Sequence, residues 1–221
     1  MEAYESIIQR IHGSFSTVSL DGRECIRDMK EYEENHGVKT NWRQSEWFGW
    51  YAEYVLNHKT SGISRSHALF PTGSGSHMMF DYVDDSSGLI FDLKTSVSTS
   101  KRIITNDLCA IRNAVSQHPI GFAVIKGTAT MDEDASFKLW HDTIKGRRSA
   151  YERIGETQHR KHRMLKNAVI LQYIDFYVID NMKTVDKMPI MKQGRNSNGK
   201  TRPLKMMLDT DIINPAASMA F

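Results

Sequence analysis

The sequence lacks the features that would assign it to a membrane, a secreted or a nucleotide-dependent class. It has no run of about 18 consecutive apolar residues, so no transmembrane helix is expected. Only two cysteines occur among 221 residues, and Cys25 and Cys109 lack the spacing of a metal-ligand set. Two isolated cysteines beside twelve methionines favour a reducing, cytoplasmic location. The absence of a phosphate-binding loop and of a dinucleotide-binding fingerprint excludes the enzymes built on those motifs.

The most informative stretch is residues 80–95, which has the pattern of two strands joined by a tight turn. Asp, Ser and Gly between positions 84 and 88 supply the turn chemistry. Asp92 and Lys94 are two residues apart on the second strand, so their side chains point to the same face. A carboxylate and an amine among Leu, Ile and Phe reduce apolar burial, and a metal-bound phosphate would compensate for that loss.

The register of this hairpin decides which residue faces Asp92. If the loop comprises Asp85–Gly88, Asp81 lies opposite Asp92 with the two Cβ atoms about 5 Å apart. Two carboxylates at that distance repel each other unless a cation lies between them, and oxygen ligands of this kind suit Mg²⁺. A register shifted by one residue would place Asp81 opposite Phe91 instead, and the sequence leaves both registers open.

Asp81, followed by the run Asp92-Leu93-Lys94, resembles the PD-(D/E)XK nuclease superfamily, the fold of many type II restriction endonucleases. The similarity covers about residues 43–130, with an aromatic residue in place of the motif's proline. It implies an α/β fold with a restriction-endonuclease-like core, in which helices flank a mixed central β-sheet. It also implies that Asp81, Asp92 and the Leu93 carbonyl hold Mg²⁺, while Lys94 orients the attacking water. The alternative is a surface hairpin whose Asp92 and Lys94 form a solvated ion pair of little energetic value.

A helix predicted over residues 44–58 supports the resemblance. Its apolar side chains recur at spacings of three and four residues: Trp47, Trp50, Tyr51, Tyr54 and Val55. In the superfamily a helix before the hairpin packs beside the active site and often contributes a Glu. We expect Glu53 in that role because it is embedded in the apolar segment, whereas the macrodipole alone would favour Glu46 near the helix start. Both acids are also open to interpretation as ordinary solvent-facing residues.

The remaining pattern predicts the order of elements around the hairpin. We expect helices near 2–12 and 22–35, a loop over 60–76, strands at 78–84, 89–96 and 120–125, and a helix over 105–117 capped by Thr105. Residues 168–179 form one long strand, or two strands with a kink at Asp175. The chain is expected to be a single catalytic domain, residues 1–221. It would comprise an N-terminal helical part (1–42), a catalytic core (43–130) and a part that completes the sheet and contacts DNA (131–221).

Cations cluster in two segments although the net charge is only +3. Eight Lys or Arg and two Glu occur from 145 to 166, and six cations without any acid occur from 187 to 205. Lys and Arg supply salt-dependent phosphate contacts, and Arg and Asn can also read base edges. The predicted DNA-binding residues are Lys145, Arg147, Arg148, Arg160, Lys161, Arg163, Lys192, Arg195, Asn196, Asn198, Lys200 and Arg202.

Together these features predict a Mg²⁺-dependent endonuclease that hydrolyses the phosphodiester bonds of double-stranded DNA at a specific sequence, as type II restriction enzymes do. The resemblance implies a homodimer, because a two-fold protein reads both strands of a palindrome with one surface. Two alternatives remain open. One is a structure-specific nuclease on the same fold, such as a junction resolvase or a repair nuclease, and the other is a DNA-binding module with an inert acidic hairpin.

Overall fold

The computed structural model describes residues 3–97, 99–146, 165–194 and 201–221. They form an α/β protein in which helices flank a mixed β-sheet, as the sequence predicts. In chain order the elements are α1 (Ala3–Gly13), β1 (Ser19–Asp21), α2 (Gly22–His36), α3 (Trp47–Lys59), β2 (Ile63–Arg65), β3 (Leu69–Pro71), β4 (His77–Met79), β5 (Tyr82–Asp84), β6 (Ile90–Val97), β7 (Arg102–Asp107), α4 (Leu108–Val115), β8 (Ile120–Met131), α5 (Ser136–Lys145), β9 (Lys166–Ile179), α6 (Met182–Lys187), β10 (Ile190–Met191), β11 (Lys205–Asp209) and β12 (Ala217–Ala220).

The chain divides into two compact units. The first comprises residues 1–16, 55–127 and 172–221, and the second comprises residues 17–54 and 128–171. The strands β8 and β9 and the helix α3 contribute residues to both units. None of the helices in the described ranges combines the length and the apolar composition that crossing a bilayer requires.

In the first unit the strand β6 lies between an antiparallel and a parallel neighbour. The strand order is β9-β8-β6-β5-β2, and β12 also pairs with β9. The strands β2 and β5 are antiparallel, as are β5 and β6. Between β6 and β8 the pairing is parallel, with Asp92 aligned with Phe122 and Lys94 with Val124. The chain makes this crossover through β7 and α4, so that a helix connects two parallel strands in the usual way.

Both faces of this sheet are covered. On one face, apolar side chains that include Ile90 and Phe122 pack in a buried cluster with Ile111 of α4. On the other face the Phe91 ring lies 5.6 Å from that of Phe176, and the Phe176 ring stacks with that of Tyr4 on α1 at 5.8 Å. Because strand residues alternate between faces, Asp92 and Lys94 share the α4 face with Ile90.

The second unit is held by close contacts between α2, α3 and the first half of β9. Asp21 caps α2, accepting hydrogen bonds from the backbone N–H groups of Arg23 and Glu24 at 2.8 and 3.1 Å. Trp47 Nε1 donates to the Lys166 carbonyl at 2.6 Å. Gly22 is required at the start of α2, since a Cβ there would lie 2.8 Å from the Asn167 carbonyl oxygen.

Three element predictions need correction. The region 60–76 is not a plain loop, because it contains β2 and β3. The strand expected at 78–84 is two strands: β4 pairs with β3, and β5 pairs with β2 and β6. The helix expected over 105–117 begins only at Leu108, and Thr105 is not its cap. Residues 102–107 instead form β7, because they pair with β11 about a hundred residues later.

The open question about residues 168–179 is also answered. They belong to one strand, β9, which runs without interruption from Lys166 to Ile179. Asp175 does not divide it, because its carboxylate is compensated inside the sheet by Lys126 Nζ at 3.1 Å and by the Ser218 hydroxyl at 2.6 Å. A buried carboxylate can remain in a strand when it is paired in this way.

Candidate active site

The turn between β5 and β6 fixes the register that the sequence left open. Tyr82 pairs with Phe91 and Val83 with Ile90. The Asp84 N–H donates to the Leu89 carbonyl at 3.0 Å. Continuing this pairing by one residue sets Asp81 opposite Asp92, and the Asp81 N–H donates to Oδ1 of Asp92 at 2.8 Å.

Asp84 holds this turn in place. Its buried carboxylate accepts hydrogen bonds from the Ser86 hydroxyl at 2.7 Å and from the Ser87 N–H and hydroxyl at 2.8 and 2.6 Å. It also pairs with the Arg10 guanidinium of α1. Burial alone would raise the pKa of Asp84, but the bonds from Ser87, Ser86 and Arg10 outweigh it and lower the pKa to about 2. Asp84 is therefore an ionised structural residue whose oxygens are engaged in the turn.

Asp92 is buried and is compensated by three donors. Only 1% of the residue is exposed. Its Oδ1 accepts from the Asp81 N–H at 2.8 Å, and its Oδ2 accepts from Lys94 Nζ at 2.8 Å and from the Asn106 amide. An unpaired carboxylate at this depth would be strongly unfavourable, so these donors explain how it is accommodated. The alternative of a solvated surface pair does not fit, because Asp92 is not at the surface.

Two residues that the sequence did not single out complete this cluster. Asn106 is near the end of β7 and donates to Asp92. Lys205 begins β11 and occupies the position opposite Asp107. Burial lowers the pKa of Lys205 and the Lys94 charge lowers it further, while Asp92 and Asp107 act in the opposite sense. Lys205 thus brings a second lysine to the strand that pairs with the Asp107 end of β7.

The sequence carries only a weak signal for these residues. The polar run Thr105-Asn106-Asp107 directly precedes the apolar helix, where only a cap is expected. Lys205 belongs to the basic segment 187–205, but nothing in the sequence places it beside Lys94. The position of Lys205 opposite Asp107 depends on the pairing of β7 with β11, which local patterns do not encode.

The oxygen atoms near Asp92 are those that Mg²⁺ prefers. The Asp81 side chain is one-third exposed, and its Oδ1 lies 4.0 Å from Arg65 Nη1. Asp84 and Leu89 form a hydrogen-bonded pair, and in an antiparallel ladder every second residue of a strand turns its N–H and C=O groups towards the same neighbour. The carbonyls of Phe91 and Leu93 therefore point towards the β5 side of β6. Within the described residues the β5 pairing ends at Phe91, so the Leu93 carbonyl lies beyond that ladder.

These oxygen atoms would suit a Mg²⁺ ion that takes only a few of its ligands from the protein. Asp92 Oδ1 accepts one hydrogen bond in the described structure, and a carboxylate oxygen has two lone-pair positions. Two carboxylates and one carbonyl would leave the rest of the octahedron to water and phosphate oxygens, as is common for Mg²⁺. Among the described residues there is no group of three or more His, Cys, Asp or Glu side chains placed to hold a metal.

The acids predicted on α3 belong to the second unit. Glu53 is half-buried on that helix, and its role beside the hairpin stays a prediction. Glu46, just before the helix, has its Oε2 3.2 Å from Lys166 Nζ within the same unit. That ion pair gives Glu46 a structural role.

Three of the predicted DNA-binding residues are described. Lys145 ends α5, with its side chain only 5% exposed and its Nζ 3.4 Å from Asp142 Oδ1. Lys192 and Arg202 are exposed, and the Arg202 N–H donates to the Gly194 carbonyl at 3.2 Å. The others lie outside the described residues: Arg147, Arg148, Arg160, Lys161, Arg163, Arg195, Asn196, Asn198 and Lys200.

The chain matches no protein-family model, no curated protein and no solved structure. Function is therefore inferred from the chemistry of the site, not from a relative.

Proposed function

We propose that the protein is a Mg²⁺-dependent endonuclease that hydrolyses phosphodiester bonds of double-stranded DNA. The observation that carries this proposal is the buried Asp92 carboxylate on β6, paired with the partly exposed Lys94 and accepting a hydrogen bond from the Asp81 N–H. Asp92 and Lys94 place an anionic and a cationic group side by side, with the ammonium reachable from solvent. A phosphoryl-transfer site needs both charges, because it must hold a metal and offset the charge of a phosphate.

The strand order supports a restriction-endonuclease-like core. Three antiparallel strands, β2, β5 and β6, are followed by α4 and then by β8 parallel to β6. This agrees with the order hairpin, helix, strand that the resemblance implies. Asp92 and Lys94 follow Phe91, the last residue of β6 that pairs with β5, so β5 does not continue alongside them.

Each residue then has a distinct chemical task. Asp81, Asp92 and the Leu93 carbonyl would hold the metal, and when bound Mg²⁺ would lower the pKa of a coordinated water and offset charge on the phosphate. Lys94 would orient the attacking water and stabilise charge that develops on the phosphate oxygens. Asn106 fixes Oδ2 of Asp92. Lys205 offers a second ammonium for a phosphate oxygen.

The basic segments support DNA as the substrate. Lys192 and Arg202, at the described edges of the segment 187–205, are exposed cations of the kind that contact phosphates. Cleavage at a specific sequence by a homodimer is the form of this activity that the resemblance to type II restriction enzymes implies.

The test is incubation of supercoiled plasmid with the wild-type protein and with Asp92→Asn, in Mg²⁺ and in EDTA. We expect cleavage by the wild type in Mg²⁺ alone, with discrete bands if the enzyme is site-specific. A matched control is Asp211→Asn, which removes a carboxylate from an exposed ion pair with Lys101 and should cleave normally. Cleavage restricted to branched DNA would indicate a resolvase. DNA binding without cleavage in Mg²⁺ would indicate a binding module.

A further inference from the structure

A cavity of about 480 Å³ lies beside the Asp92 cluster, within the first unit. It is bounded by the loop at 73–74, the start of α4 and residues 201–204, and its lining includes Asp107, Leu108, Arg112, Arg202 and Leu204. This volume is within the range of sites that bind small organic ligands. The cavity is close to the proposed active site, because Asp107 directly follows Asn106, which bonds to Asp92.

Asp107 gives this cavity an unusual chemical feature. Its Oδ1 accepts hydrogen bonds from the Ala110 N–H at 3.0 Å and from the Gly73 N–H at 3.3 Å. Its Oδ2 is buried and has no hydrogen-bond partner among the described residues, although Lys205 occupies the position opposite. The residue is only 5% exposed. Capping α4 requires one oxygen, so the second oxygen is an acceptor that the fold does not use.

The residues that line the cavity restrict which ligands could donate a hydrogen bond to Oδ2 of Asp107. Leu108, Pro203 and Leu204 are apolar and suit a flat ring, whereas Arg112 and Arg202 suit an anionic group. A ligand with an N–H donor on an aromatic ring and a phosphate attached to it satisfies all three features. Nucleotides whose base carries an exocyclic amino group have this composition, and Asp is a known acceptor for such a group.

We propose that this cavity, which we call the Asp107 pocket, binds an amino-bearing nucleobase of the substrate strand, with Asp107 Oδ2 accepting from its exocyclic amine. That this base lies next to the cleaved bond rests on the proposed function, which places cleavage at the Asp92 cluster beside the pocket. Nucleotide binding itself does not require cleavage. The pocket would therefore favour a base with an amino group over thymine next to the cleaved bond.

The test is calorimetric titration of dAMP, dCMP and TMP in EDTA, where no cleavage occurs. We expect the wild type to bind at least one of dAMP and dCMP about tenfold or more tightly than TMP. In Asp107→Asn the amide oxygen must stay at the Oδ1 position to accept from Ala110 and Gly73, so the NH₂ group replaces Oδ2. A donor at that point should remove or reverse the preference, favouring the carbonyl of thymine.

Two further variants make the result specific. Asp186→Asn removes the exposed partner of Arg112 outside the pocket lining and should keep the preference for the amino-bearing base. Leu204→Trp fills the pocket from a partly exposed position and should weaken all three nucleotides together, which tests the pocket even if Asp107→Asn fails to fold.

The outcomes separate this inference from the proposed function. Plasmid cleavage without nucleotide binding, or an unchanged preference in Asp107→Asn, would overturn the Asp107 pocket and leave the nuclease proposal standing. Binding that shows the expected reversal, in a protein that cleaves no DNA, would support the pocket and refute the nuclease.

Discussion

Lys94 Nζ lies 2.8 Å from Oδ2 of Asp92, two residues earlier on the same strand. The Lys94 side chain is partly exposed while that of Asp92 is buried, so the pair has one end in the protein and one end towards solvent. A buried carboxylate that loses its partner is left uncompensated, which makes the two residues energetically dependent on each other. The lysine end of the pair can therefore be reached from solvent while the carboxylate end cannot.

The pair predicts a loss of activity in variants that are less stable than the wild type but still fold. Asp92→Asn and Lys94→Ala should each reduce plasmid cleavage at least about a hundredfold, because the first removes a charged ligand of the proposed metal and the second removes a cation that would offset charge on the phosphate. Asn can still accept from the Asp81 N–H, but its NH₂ group then meets the donors of Lys94 and Asn106, so the melting temperature of Asp92→Asn should fall below that of the wild type while the protein stays folded. DNA affinity in EDTA should change little. Lys101→Ala, in an exposed pair, is the matched lysine control. Wild-type turnover in either active-site variant would show that the site is misassigned.

Lys205 predicts a pH dependence of DNA binding. Burial holds the pKa of Lys205 below the ordinary 10.5, so its charge is lost at a lower pH than that of an exposed lysine. Duplex affinity, measured by fluorescence anisotropy in EDTA from neutral to alkaline pH, should therefore fall earlier than for Lys205→Arg, which stays charged. Lys205→Gln should bind weakly throughout. Lys101→Arg should keep the wild-type profile, and an identical profile for Lys205→Arg would exclude contact between Lys205 and DNA.

Asp84 predicts a stability change at acid pH. Its pKa is 3.8 in an unfolded chain and about 2 in the fold, so its contribution is complete above about pH 4 and is lost as the pH falls through about 2. Asp84→Asn should lower the free energy of unfolding by about 2 kcal/mol at neutral pH, measured by urea denaturation. The difference between variant and wild type should shrink as the pH approaches the lowered pKa. Asp211→Asn, at an exposed site, should change stability little at neutral pH. An Asp84→Asn difference that did not depend on pH would contradict this role.

The basic segment 187–205 predicts the salt dependence of binding. A triple variant with Lys192, Arg195 and Lys200 changed to Ala should bind duplex DNA more weakly, because fewer cations face the phosphates. Its plot of log affinity against log salt should be shallower by about 0.9 for each phosphate that the variant no longer neutralises. Binding to duplex DNA across a salt series measures both quantities.

The control for this experiment removes the same number of charges elsewhere. Changing Lys39, Lys101 and Lys183 to Ala lowers the net charge equally but touches neither basic segment. If both triple variants showed the same decrease in slope, net charge alone would explain the effect. An unchanged slope in the first variant would direct attention to residues 145–166.

Local sequence patterns determined much of the secondary structure. The helices α1, α2 and α3 and the strands β6, β8 and β9 follow from apolar periodicity, because the buried face of an element repeats every 3.6 or 2 residues. The same two-residue period places Asp92 and Lys94 on one face, since alternate side chains of a strand point the same way. These features depend on neighbours along the chain, which a sequence displays directly.

Tertiary structure alone decided how the site is assembled. The register of β5 with β6 depends on hydrogen bonds around Asp84, one of which comes from Arg10, 74 residues earlier. Asn106 and Lys205 reach the site because β7 pairs with β11, and burial of Asp92 depends on these same contacts. The energies that select such pairings arise between distant segments only when the chain has folded. The sequence could therefore supply the pair of charges, but not the donors that surround it.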